Sequence, residues 1–170
     1  MTNLQKLILK NLTSDEEFCR RSLPHLKPEY FEDEHKPVYE LILKFLSDYN
    51  KLPTSSALDV EFQKSTLINK PNKHEIHNLI TDLSHHETVD RDWLLNSTEE
   101  WCKNRAVYLA IIKSISIIDG KEKQLTDGAI PGILSKALQV SFDTNVGHDY
   151  FENSTERYDF YHAQEDKIPF

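Results

Sequence analysis

The chain has 170 residues, a formal net charge of −8 and a pI near 5.5, with 38% hydrophobic and 28% charged residues and a mean hydropathy of −0.58. That acidic balance excludes the basic stripe through which proteins usually grip a phosphate backbone, and no apolar run approaches the roughly 18 residues of a membrane span. Four glycines against eight Phe and seven Tyr argue against a turn-rich all-β fold and against disorder.

Apolar spacing is helical almost throughout. Leu4, Leu7, Ile8 and Leu12 give the i, i+3, i+4 pattern of a first short helix, and Ser14 with Glu17 reads as a capping box opening a second. Pro24 and Pro28 punctuate a loop, and the acidic stretch Glu29 to Glu34 follows. Pro37 then sits where the first turn of a helix tolerates it, ahead of Val38, Leu41, Ile42, Phe45 and Tyr49 on one face. Leu52-Pro53-Thr54-Ser55 is a break followed by an N-cap, leading into Ala57, Leu58, Val60 and Phe62. Pro71-Asn72 with Glu75 forms another capping box ahead of Ile76, Leu79, Ile80 and Leu83. Residues 1–89 thus read as a compact lobe of short helices.

The next segment differs in kind. Asp90 can cap a helix running without interruption to Ile118, far longer than the average of about 11 to 12 residues. Leu94, Trp101, Tyr108 and Ile115 recur at intervals of seven, with Thr98, Arg105 and Ile112 between them, which is a heptad seam with two polar interruptions. Asp119-Gly120 is a plausible stop. After a polar connection, Ile130, Ile133, Leu134, Ala137 and Leu138 form the stripe of a returning helix that ends near Phe142. Residues 90–143 therefore read as a helical hairpin. A lone hairpin has too little surface to bury both of its apolar faces, so self-association is the expected outlet. Residues 144–170 read as a linker helix studded with Tyr150, Phe151, Tyr158, Phe160 and Tyr161, and the ending at Ile168-Pro169-Phe170 is expected to lead into a further domain.

Sites for chemistry are scarce. A phosphate-binding P-loop needs G-x-x-x-x-G-K-[ST], but the only Gly-Lys pair, Gly120-Lys121, has Ile115 and Glu122 at the other required places. His74, His77, His85, His86 and Glu87 could in principle gather round a metal, yet His-x-x-His without cysteine or HExxH support is better read as solvated surface. Neither Cys19 nor Cys102 has a second cysteine nearby, and both read as buried small hydrophobes of a reducing, cytosolic compartment. Aromatic residues without interleaved basic ones favour packing over stacking on single-stranded bases.

Several segments in order resemble the N-terminal part of the replicative DNA helicases of T4-like bacteriophages, which belong to the DnaB-like hexameric helicase family. They are Glu29-Tyr30-Phe31-Glu32, Leu52-Pro53 with Ala57-Leu58, Asp92-Trp93-Leu94, Arg105-Ala106, Gly128-Ala129-Ile130-Pro131, Ala137-Leu138 with Ser141-Phe142-Asp143, Val146-Gly147-His148-Asp149 and Pro169-Phe170. The resemblance implies an all-α collar: a lobe, a hairpin for self-association as a dimer, trimer of dimers or hexamer, and a linker helix. It implies primase and a helicase loader as partners, and a location in the cytoplasm of the bacterial host. ATP, Mg and single-stranded DNA would be handled by a RecA-like ATPase domain beyond Phe170, with no catalytic residue, cofactor or metal in this segment. The competing reading is a stand-alone helical adaptor or loader-type protein.

Overall fold

The computed structural model describes residues 2–142, which form seven α-helices, with short 3-10 turns in three of the six connections, and contain no strand. The first helix, α1 (Thr2–Ser14), buries Ile8, Leu9 and Leu12. It stops where Asp15 turns extended at φ −121° and ψ 103°, and the Asp15 carboxylate accepts the Phe18 N–H at 3.1 Å to open α2 (Glu16–Ser22). The cap is thus Asp15 and not the expected Ser14. Ser14 stays inside α1 and donates its hydroxyl to the Lys10 carbonyl at 2.8 Å.

Helix α3 (His35–Tyr49) carries Pro37 in its first turn and buries Val38, Leu41 and Ile42, whereas Phe45 is half-buried and Tyr49 is exposed. It ends on Asn50, whose left-handed backbone (φ 55°) lets its N–H reach the Leu46 carbonyl at 2.9 Å. Helix α4 (Ser55–Lys64) starts as expected, with Thr54 Oγ1 accepting from the Ala57 N–H at 3.0 Å. The Ser55 hydroxyl also donates to the Ile80 carbonyl at 2.6 Å, which ties α4 to α5 (Lys73–Asp82). Asn72 precedes α5 without making the expected side-chain cap, because its backbone (φ −91°, ψ 24°) lies outside the extended region a capping side chain needs.

Both ends of α6 (Arg91–Ile118) follow the sequence. Asp90 accepts the Trp93 N–H at 2.8 Å at the start. At the other end Gly120 takes φ +72°, its N–H bonds to the Ile117 carbonyl at 3.0 Å, and the Lys121 N–H bonds to the Ser116 carbonyl at 3.0 Å. This pair of bonds is a Schellman stop, which satisfies carbonyls the helix would otherwise leave orphaned. Helix α7 (Ile130–Leu138) has only 9 residues against the 28 of α6. It stops four residues short of the expected Phe142, so it spans about 14 Å beside a partner of about 42 Å.

The core crosses the expected lobe–hairpin boundary at residue 90 without a break. Buried side chains from Ile8 to Leu83 share one cluster with Leu94, Leu95, Trp101, Cys102, Ala106, Ala110 and Ala137. At its centre the Trp101 ring meets Phe31 edge-on at 5.0 Å and Tyr30 at 6.2 Å, while Phe31 stacks on Tyr39 at 4.4 Å. The acidic stretch after Pro28 therefore carries two aromatic plugs, and its carboxylates stay at the surface.

Candidate assembly surface on the long helix

Helix α6 changes its buried face along its length. Its first half buries Leu94, Leu95, Thr98, Trp101 and Cys102, and packs on α1, α2 and the 3-10 turn Pro28–Tyr30. Its second half buries Ala106, Ala110, Ser114 and Ile117. Successive steps of four residues advance around the helix by about 40°, since each residue turns about 100°. The buried stripe therefore winds away from the lobe, and its small side chains suit the close approach of α7. In α7, Ala137 is buried and Ile133 and Leu134 are half-buried against the core. Ile130 is also half-buried, and Leu138 is exposed.

The expected seven-residue seam is sorted by this winding. Leu94 and Trp101 lie inside the chain's own core at 1% and 2% exposure, and are not available to a second copy. Tyr108, Ile112 and Ile115 are open at 52%, 44% and 52%. Ile111 and Ile118 are exposed beside them and were not singled out by the heptad spacing, although they lie three residues from Tyr108 and Ile115. Together Tyr108, Ile111, Ile112, Ile115 and Ile118 make an apolar stripe opposite the buried one, so the second half of α6 is apolar on two sides. A helix of that kind normally has partners on both.

The two polar interruptions of the seam have separate explanations. Thr98 is fully buried and donates its hydroxyl to the Leu94 carbonyl at 2.6 Å, so it needs no partner outside its own helix. Arg105 reaches back to the lobe: its Nε donates to the Tyr30 carbonyl at 2.9 Å and its guanidinium pairs with Glu32 at 3.0 Å. The same guanidinium lies 5.0 Å from the Tyr108 ring centroid, over the start of the exposed stripe. A second clamp holds the start of α6, where Arg91 pairs with Asp15 at 2.8 Å and with Glu17 at 3.4 Å. Neither clamp was foreseen from the sequence.

Elsewhere two of the candidate metal ligands make ordinary contacts with carboxylates. His77 lies 3.0 Å from Asp59, and His85 lies 3.7 Å from Asp82. No group of three or more His, Cys, Asp or Glu able to hold a metal occurs among the described residues. Cys19 and Cys102 are both buried as free thiols, and burial, helped by the negative charge of Glu99, pushes the Cys102 thiol up to about 12. No described helix is long and apolar enough to cross a membrane. The expected docking residues Tyr150, Phe151, Tyr158, Phe160 and Tyr161 lie outside the described residues.

The described residues are all helical, with a lobe of short helices, a dominant long helix and a returning helix, and this is the fold class expected from the ordered sequence motifs. Among characterised proteins the chain is similar to the DnaB-like replicative helicase of Enterobacteria phage T4, with 31% identity over 174 residues and 97% of this chain. The resemblance read from separate motifs thus extends over nearly the whole sequence. The chain spans 36% of that relative's length. No protein-family model matches it.

Proposed function

We propose that this chain is the assembly tier of a DnaB-like replicative helicase, which organises a ring and performs no chemistry of its own. The observation that carries the reading is the exposed stripe Tyr108, Ile111, Ile112, Ile115 and Ile118, five large apolar side chains on one face of a helix whose opposite face is already packed. Finishing the burial of each contributes about 1 kcal/mol or more, so a second copy covering the stripe gains several kcal/mol before the cost of association. The similarity to the phage T4 helicase supports a role in DNA replication in the cytoplasm of a bacterial host. In this reading ATP, Mg and single-stranded DNA are handled by an ATPase domain outside residues 1–170, and primase and a loader dock on the ring. The aromatic residues Tyr150, Phe151, Tyr158, Phe160 and Tyr161 would then engage the neighbouring subunit's motor.

Light scattering on the chain at tens of micromolar tests the proposal. A dimer or larger species is expected, reverting to monomer in Tyr108→Asp with its helical circular dichroism retained. A monomer in the unmutated chain overturns self-association by this surface and favours a stand-alone adaptor.

A further inference from the structure

The end of the hairpin is fastened by a contact that the assembly reading does not use. Beyond α7, the Phe142 ring stacks on His25 with centroids 4.4 Å apart and planes within 20°. Next to it the Ser141 hydroxyl donates to the Glu99 carboxylate at 3.4 Å, and the Phe142 backbone N–H also bonds to Glu99. Glu99 is anchored in turn by Lys103 at 2.7 Å, one turn further along α6. Three separate parts of the chain therefore meet here: the 3-10 turn Leu23–His25, the first half of α6 and the residues that follow α7.

His25 is the unusual member. Its Nε2 is buried and faces no hydrogen-bond partner among the described residues. A neutral imidazole tolerates this, because the tautomer protonated on Nδ1 leaves Nε2 as a bare acceptor. An imidazolium does not, because it would place an N–H donor where no described group accepts it, and a buried unpaired donor is destabilising. From these contacts we propose that His25, Glu99 and the Ser141–Phe142 pair form a proton-sensitive clasp that fixes where the chain leaves the hairpin and opens when His25 is protonated.

Burial pushes the His25 imidazole below its ordinary value, and the negative charge of Glu99 opposes that shift without cancelling it. The charged side chains on the elements that meet here are Arg20 and Arg21 of α2, with Arg21 3.8 Å from Asp92, Glu99 and Lys103 of α6, and Lys136 of α7, and of these it is Glu99 whose charge acts on His25. Glu99 is itself held below the usual carboxylate range, chiefly by the Lys103 hydrogen bond, so it stays ionised while His25 titrates. The His25 value is depressed in the closed clasp, so closure is fully favoured above the ordinary histidine value of about 6.5. It is lost as pH falls through the lower value of the closed state.

Nuclear magnetic resonance on the 170-residue chain decides the matter through two readouts. The His25 ring is expected to titrate at a lower pH in the unmutated chain than in Phe142→Ala, where the stacking partner is gone. Hydrogen-exchange protection of the Phe142 amide is expected to fall at least threefold between pH 7 and pH 5, and to stay level over that range in His25→Phe, which keeps an aromatic ring but cannot be protonated. Equal His25 titration in the unmutated chain and Phe142→Ala overturns the clasp. So does a fall in protection in His25→Phe as large as that in the unmutated chain, which would assign the effect to Glu99. Phe142 lies at the periphery of the fold, so its substitution leaves the comparison readable even if His25→Phe folds poorly.

Discussion

The two halves of α6 differ in apolar content, 5 of 14 residues from Arg91 to Asn104 against 10 of 14 from Arg105 to Ile118, and their large side chains have opposite fates. From Leu94 to Cys102 the large side chains point into the lobe, where Tyr30 and Phe31 come forward to meet Trp101. From Tyr108 to Ile118 five large side chains point outward, and the inward face is built of Ala106, Ala110 and Ser114 with Ile117, beside a half-buried Leu109. Large residues inward stabilise a monomer. Large residues outward, over a face already filled by small ones, offer surface to something else. A single uninterrupted helix thus combines a folding half and a recruiting half, and Arg105 sits at the changeover with one hand on the lobe and its guanidinium over Tyr108.

Substitutions along α6 can break or sharpen that division. Trp101→Ala removes the ring at the centre of the aromatic cluster and should lower unfolding stability by about 3–5 kcal/mol, read as the denaturant midpoint. Ile112→Asp should leave the unfolding midpoint of the dissociated chain within about 0.5 kcal/mol. In a symmetric contact that substitution enters twice, so the dissociation constant read by sedimentation should rise about a hundredfold, near 2.8 kcal/mol. If Ile112→Asp unfolds the chain instead, the second half is core and the division fails. Arg105→Ala strips two charged hydrogen bonds between α6 and the lobe and should cost about 1.5 kcal/mol in thermal unfolding. The smallest effect belongs to Gly120→Ala, where nothing stands within 4 Å of the added methyl but φ is +72°. The left-handed backbone alone should then cost about 1 kcal/mol, visible as a slightly lower melting temperature.

Helix existence and the ends of α6 were legible because their causes are local. Asp90 and Gly120 act on backbone groups within three or four residues of themselves, as does Thr54. Other features depended on choices between neighbours. Ser14 and Asp15 are both competent caps, and the decision fell to Asp15 because α1 continues through Ser14. The seven-residue repeat was real, but a period says only which residues share a face and not what covers it. The cover over Trp101 comes from Tyr30 and Phe31, some seventy residues earlier, and nothing in the α6 sequence announces it. An ideal helix also drifts about 20° per heptad, so a strict repeat cannot keep one face inward over four heptads. The early end of α7 was hidden for a similar reason: Ser141 and Phe142 leave the helix to reach Glu99 and His25, which are distant in sequence.

Asp15 has a consequence for how the molecule opens. One of its oxygens accepts the Phe18 N–H that starts α2, and the other receives Arg91 Nε, the first residue of α6. Helix ends normally fray one at a time, each on its own small local free energy. Here the first turns of two helices, starting at Glu16 and Arg91, share one carboxylate, so loosening either removes a bond from the other. Burial raises the Asp15 pKa, but the Arg91 hydrogen bond, the Phe18 N–H and the Arg91 charge together outweigh it and hold the group below its ordinary value. The shared bond is therefore present above about pH 4 and is lost as pH falls through the depressed value. Acid should release both helix starts in a single step, and amide exchange at Phe18 and at Trp93 should accelerate together.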